Sequence, residues 1–93
     1  QDIGYLLDED AKKYIIELGI VMGITMEKNI NDIDIKLERR ENIISMDIPP
    51  ELHQIFENKE IKEGDKVSTL FYRISPYSQV IILGKIWKIA ETI

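Results

Sequence analysis

Cysteine is absent from the 93 residues, so disulfide frameworks, thiolate metal centres and cysteine nucleophiles are excluded by inventory. Histidine occurs once, at His53, and no serine or carboxylate stands at a spacing that would tie it into a triad or a zinc site; a surface position is expected for it. The five glycines, at 4, 19, 23, 64 and 84, never fall into the spacings that cradle phosphate. Asp8, Glu9 and Asp10 are adjacent but lack calcium-loop spacing, and they suit the start of a helical turn running into Ala11, Lys12 and Lys13. No pair of carboxylates is singled out for acid–base work. No apolar run approaches the roughly 18 residues of a membrane helix, and no charged segment followed by an apolar one opens the chain. The expectation is a soluble, cytoplasmic protein without catalytic activity, cofactor, metal or small-molecule ligand. The chain opens on Gln1 rather than Met, which reads as a processed or trimmed form with segments beyond either end.

What is present is a small, isoleucine-rich domain with an uneven charge. Its length allows one core and one domain, read as an N-terminal arm or short helix over 1–13 and a single barrel over 14–93. The net charge is −5. Residues 64–93 hold Lys66, Arg73, Lys85 and Lys88 against Asp65 and Glu91, net +2, which leaves −7 for the first 63. An acidic chain is repelled by phosphate backbones. The abundance of Ile, Lys and Glu matches the composition of a thermophile with exposed ion pairs, and equally that of an AT-rich genome.

Along the chain the pattern is β. Tyr14 to Met26 is rich in β-branched residues and contains Gly19 and Gly23, each of which would cost a helix about 1 kcal/mol. It is expected to be a long first strand, the glycines permitting a bulge where a sheet curls into a barrel. Asn29, Asn31 and Asp32 supply a turn. Ile33, Ile35 and Leu37 then alternate with Asp34, Lys36 and Glu38, the cleanest period-2 pattern in the sequence. After the polar turn Arg39 to Asn42, Ile43 to Ile48 is a third strand with Ile44, Met46 and Ile48 inward. Pro49 and Pro50 end it, and Pro50 suits the first turn of a short helix through Leu52, Ile55 and Phe56.

A β-rich hairpin closes the sequence. Gly64-Asp65 turns into a strand from Lys66, Ser75-Pro76-Tyr77 makes a turn, and Val80 to Ile89 returns. Both faces of this hairpin are apolar, whereas a strand with one wet face alternates apolar with polar. Val67, Thr69 and Phe71 are assigned to the core together with Trp87. Leu70, Tyr72 and Ile74 are then outside, joined across the hairpin by Ile82 and Ile86 and flanked by Tyr77. These six are the candidate partner-binding residues, at the scale where an exposed patch on a monomer begins to suggest an interface. The N-terminal arm, through Tyr5, Leu6 and Leu7, is the competing cover for that patch.

Three strands, a short helix and two strands is the order of a five-stranded Greek-key barrel of the OB type. An SH3-like barrel is the alternative, and it lacks a helix at that point. OB barrels commonly stack single-stranded nucleic acid on aromatics within a basic groove. Tyr72, Tyr77 and Trp87 are the candidate stacking residues, with Arg39, Arg73, Lys85 and Lys88 as the candidate contacts to the strand.

From Asn42 onward the chain resembles the small OB-type eighth subunit of eukaryotic and crenarchaeal RNA polymerases. The matching stretches are Met46-Asp47-Ile48-Pro49 with Glu51-Leu52, Gly64-Asp65-Lys66-Val67, Ser75-Pro76-Tyr77, and Val80 to Ile86 with its Gly84 followed by Trp87. It is similar in the same way to small accessory subunits of the crenarchaeal B-family DNA polymerase holoenzyme. The resemblance implies an archaeal, non-catalytic accessory subunit that docks on a large catalytic polymerase subunit, with DNA replication favoured. Nucleic acid would then be met only through the complex, and no membrane is involved.

Overall fold

The computed structural model describes residues 6–7 and 13–90. Its strands are β1 (Leu6–Leu7), β2 (Lys13–Met26), β3 (Asn31–Leu37), β4 (Ile43–Asp47), β5 (Lys66–Arg73) and β6 (Ile81–Lys88). A 3-10 turn, Pro50–Leu52, leads into the one-turn helix α1, His53–Glu57, between β4 and β5. Strands β2 to β6 form a closed sheet in the order β2-β3-β4-β6-β5, with β5 returning to pair with β2. All contacts are antiparallel except β4 with β6, which run parallel and meet at the single pair Asp47 and Ile82. This is the OB-type barrel, and the helix at its expected place separates it from an SH3-like one.

The long first strand explains the closure. Fourteen residues at about 3.3 Å each would extend some 45 Å, more than the 38 Å longest dimension of the molecule, so β2 has to bend. It does so at Met22, the extra residue between the pairs Val21–Ile35 and Gly23–Asp34. The first half of β2 pairs with β5 through Tyr14–Tyr72 to Ile20–Lys66, and the second half pairs with β3. Gly19 lies at the crossing of the two halves. A Cβ there would sit 2.7 Å from Ile35 Cγ2 and 2.9 Å from the Lys36 carbonyl oxygen, closer than packed atoms approach.

The core follows the alternation read from the sequence in β3, β4 and β5. Ile33, Ile35, Leu37, Met46, Ile48, Val67 and Phe71 are buried, with Ile44 packed against them. Phe56 and Ile61, from the helix and the segment after it, join this cluster, and Leu52 and Ile55 pack against it. Thr69, fully buried, donates its hydroxyl to the Glu17 carbonyl oxygen at 3.0 Å. Gly64, at φ +90°, supplies the left-handed turn before β5.

Strand β6 departs from simple alternation. Phe71 pairs with Leu83 and Leu70 with Lys85, leaving Gly84 as an extra residue. One inserted residue reverses every following side chain. Leu83 and Ile86 therefore both face the core, while Lys85 and Trp87 face out. The expected outward Ile86 and inward Trp87 are both corrected: Ile86 is 8% exposed and Trp87 45%.

Of the helical turn expected over 8–13, residues 8–12 lie outside the described residues, as does Tyr5, and Lys13 is corrected to the first residue of strand β2. The Leu6–Leu7 backbone pairs with Tyr14 and Lys13, on the side of β2 away from Tyr72 and β5.

Candidate functional site

The outer face of β2, β5 and β6 collects exposed apolar side chains on a rigid three-strand platform. On β2 the outward row is Ile16, Leu18, Ile20 and Met22, exposed by 60, 42, 39 and 48%. This row is more apolar than its inward counterpart, which contains Glu17 and Gly19. The cross-strand pairs set Ile16 beside Leu70, Leu18 beside Ser68, and Ser68 beside Trp87. Tyr14 faces Tyr72 with ring centroids 5.2 Å apart and planes tilted by 56°, and Tyr72 in turn faces Ile82. Gly84 lets Leu70 lie across the platform, since a Cβ there would meet Leu70 Cδ2 at 2.7 Å.

Of the six partner-binding candidates, Leu70, Tyr72 and Ile82 come together on this face. Ile74 and Tyr77 lie in the 74–80 loop, Tyr77 being 93% exposed at its tip. Ile86 belongs to the core. Sequence reasoning missed Ile16, Leu18, Ile20 and Met22, and it named Trp87 as a stacking candidate or a core residue but not as part of the partner face. Alternation gave no pointer to the first four: four apolar residues at alternate positions, opposite Glu17 and Gly19, would read as a buried row, yet they face out.

The nucleic-acid candidates do not converge on one groove. Arg73 stands at the Ile81 end of the hairpin, whereas Lys88 pairs with Val67 six residues away, roughly 20 Å along the strand, and forms an ion pair with Asp65 at 3.5 Å. Arg39 sits in the exposed turn after β3, and Lys85 lies on the platform. The strands corresponding to the OB oligonucleotide face, β3 and β4, set Asp32 opposite Asp47 and Asp34 opposite Ser45. Burial pushes the Asp32 carboxyl above the ordinary carboxylate value, and its hydrogen bond with Asp47 and the charges of Asp47 and Asp34 push the same way.

A carboxyl whose folded-state pKa is raised costs stability once ionised. The cost is present at neutral pH and disappears as the pH falls through the raised pKa toward the ordinary range. Asp32→Asn is therefore expected to raise the melting temperature at neutral pH, with the gain vanishing in thermal scans near about pH 3. Asp65 has the opposite sign: the Lys62 backbone N–H, 2.8 Å from its carboxylate, and then Lys88 hold its pKa low. Its contribution is present at neutral pH and is lost in acid.

One end of the barrel holds a cleft of about 280 Å³ lined by Ile15, Arg40, Phe71, Arg73, Pro76 and Ile81, among others. Arg40 is held there by three hydrogen bonds to Glu17, at 2.8, 3.2 and 3.5 Å, with its guanidinium carbon 5.9 Å from the Phe71 ring centroid. That pairing makes it a cap on the barrel end. His53, expected at the surface, is half-buried and donates Nε2–H to the Ile48 carbonyl at 3.0 Å, which ties the helix to the end of β4. Among the described residues no group of three His, Cys, Asp or Glu side chains could hold a metal ion. No helix among them is long and apolar enough to cross a membrane. No family model, curated protein or solved structure matches the chain.

Proposed function

We propose that the chain is a non-catalytic docking subunit whose β2–β5–β6 face is covered by a protein partner. The observation that carries this reading is the outward row Ile16, Leu18, Ile20 and Met22, extended across the strands by Leu70 and Trp87. A contiguous apolar face of this kind marks an interaction site on a small protein. Aromatic anchors such as Trp87 carry a large share of such binding, about 2 kcal/mol or more each. The polymerase resemblance supplies the class of partner: the large catalytic subunit of a DNA or RNA polymerase, replication favoured, which the barrel would stabilise or modulate.

The test is co-elution of the purified chain with polymerase catalytic subunits from the same organism, repeated with Leu18→Asp. Leu18 is exposed, so the variant is expected to keep its fold and melting temperature while losing at least about 100-fold in affinity. Failure of every catalytic subunit to bind would sink the polymerase assignment. Retained binding by Leu18→Asp would sink the docking face.

A single-stranded nucleic-acid module is the second reading, favoured by the exposure of Trp87 beside Lys85 on the platform. The aliphatic row on β2 and the carboxylates on β3 and β4 weigh against it. Trp87 is the chain's one tryptophan, so its emission reports on this face directly. Quenching by oligothymidylate that fades steeply with salt would favour this reading over docking.

A further inference from the structure

The dimensions and charge of the platform point to the form of its occupant. Ile16 to Met22 spans six residues, about 20 Å, and three strands at about 4.8 Å spacing give a width near 10 Å. That footprint matches one α-helix of about 13 residues. The surface also dips in a shallow trough at Ser68, which lies between the larger Leu18 and Trp87, while farther along Leu70 fills the space over Gly84.

Charge on this face has one sign. Lys66 lies opposite Ile20 and Lys85 opposite Leu70, and neither has an ion-pair partner among the described residues. The outward positions of the three strands between Tyr14 and Met22, Lys66 and Tyr72, and Ile82 and Trp87 carry no carboxylate. Glu17 of β2 is turned inward and engaged by Arg40. A second copy seated symmetrically would set two positively charged faces together, as an isologous interface places the same patch on both sides.

We infer that the occupant is an amphipathic helix of the partner protein, with an apolar stripe on the trough and carboxylates flanking it toward Lys66 and Lys85. The inference rests on the docking reading and adds the shape and charge of what docks. Helix-in-groove recognition uses apolar anchors at i, i+3, i+4 and i+7, and complementary rim charge raises the association rate and selects among partners.

Two designed 14-residue helical peptides test it. Both carry the same leucine stripe, one flanked by glutamate and the other by lysine, and Trp87 emission is followed during titration at low salt. The glutamate peptide is expected to blue-shift Trp87 and bind at least tenfold more tightly. The Lys66→Glu/Lys85→Glu variant, altered only at positions on the outer face, is expected to reverse that preference, and Leu18→Asp to remove both signals. Equal binding of the two peptides, unchanged in the charge-reversed variant, overturns the acidic helix and leaves the docking face standing. Binding of neither peptide, while Leu18→Asp still releases a polymerase subunit, overturns the helical occupant alone. Self-association in sedimentation that Leu18→Asp abolishes, or binding of phosphatidylserine vesicles or oligothymidylate in place of the glutamate peptide, overturns the inference together with the docking reading.

Discussion

Ile86→Asp is expected to lose at least about 4 kcal/mol of unfolding free energy, while Trp87→Ser, one residue further along, unfolds within about 1 kcal/mol of the parent. Truncating a buried isoleucine costs about 2–5 kcal/mol, and the aspartate adds the cost of a buried, unpaired carboxylate. Together these come to at least about 4 kcal/mol, a large part of the ~5–14 kcal/mol available to a domain of this length. Urea titration with circular dichroism measures both variants. The reverse ranking would mean that Gly84 does not insert a residue into β6 and that Trp87 is core.

Gly19→Ala is the second large effect, because the added methyl has nowhere to go. Its neighbours would be a fully buried side chain, Ile35, and the Lys36 backbone, neither of which yields without moving β3. Overpacking of this kind costs about 2–3 kcal/mol, a fall in melting temperature of roughly 10–20 °C for a domain this small. Gly23→Ala is the control. A Cβ there meets only Asp34 Oδ2, at 3.6 Å, and a change below about 0.5 kcal/mol is expected. If both substitutions were equally mild, the close approach of Gly19 to Ile35 and Lys36 of β3 would be wrong.

The fold was legible where one physical constraint acted alone. Ile33, Ile35 and Leu37 alternate with charges, so their face is fixed by burial; Pro49 and Pro50 stop a ladder; Gly64 provides the left-handed turn. These markers give the strand and helix order, and the order gives the barrel. The candidate site was half legible. Leu70, Tyr72 and Ile82 were found because their hairpin is apolar on both faces. The β2 row was not, because apolar residues occur at both parities and periodicity cannot choose between them; the space around Gly19 and the inward Glu17 decide it. Ile86 and Trp87 exchanged places because a bulge exists only relative to the neighbouring strand. Leu70 and Phe71 define the extra residue at Gly84, and nothing in residues 81–88 alone does.

The parallel contact of β4 with β6 is one residue pair, Asp47 with Ile82, against seven for each of the seams β2–β3, β2–β5 and β5–β6. The barrel is thus a curled ribbon fastened by a single clasp, beside which the helix is tied to the end of β4 through His53 and Ile48. Local opening is cheapest where fewest backbone bonds must break. Amide protons flanking the clasp should exchange with solvent through partial uncurling, while those shared by β2 and β5 wait for global unfolding. A ligand seated on β2, β5 and β6 would brace the slow side of the ribbon and leave the clasp free to breathe.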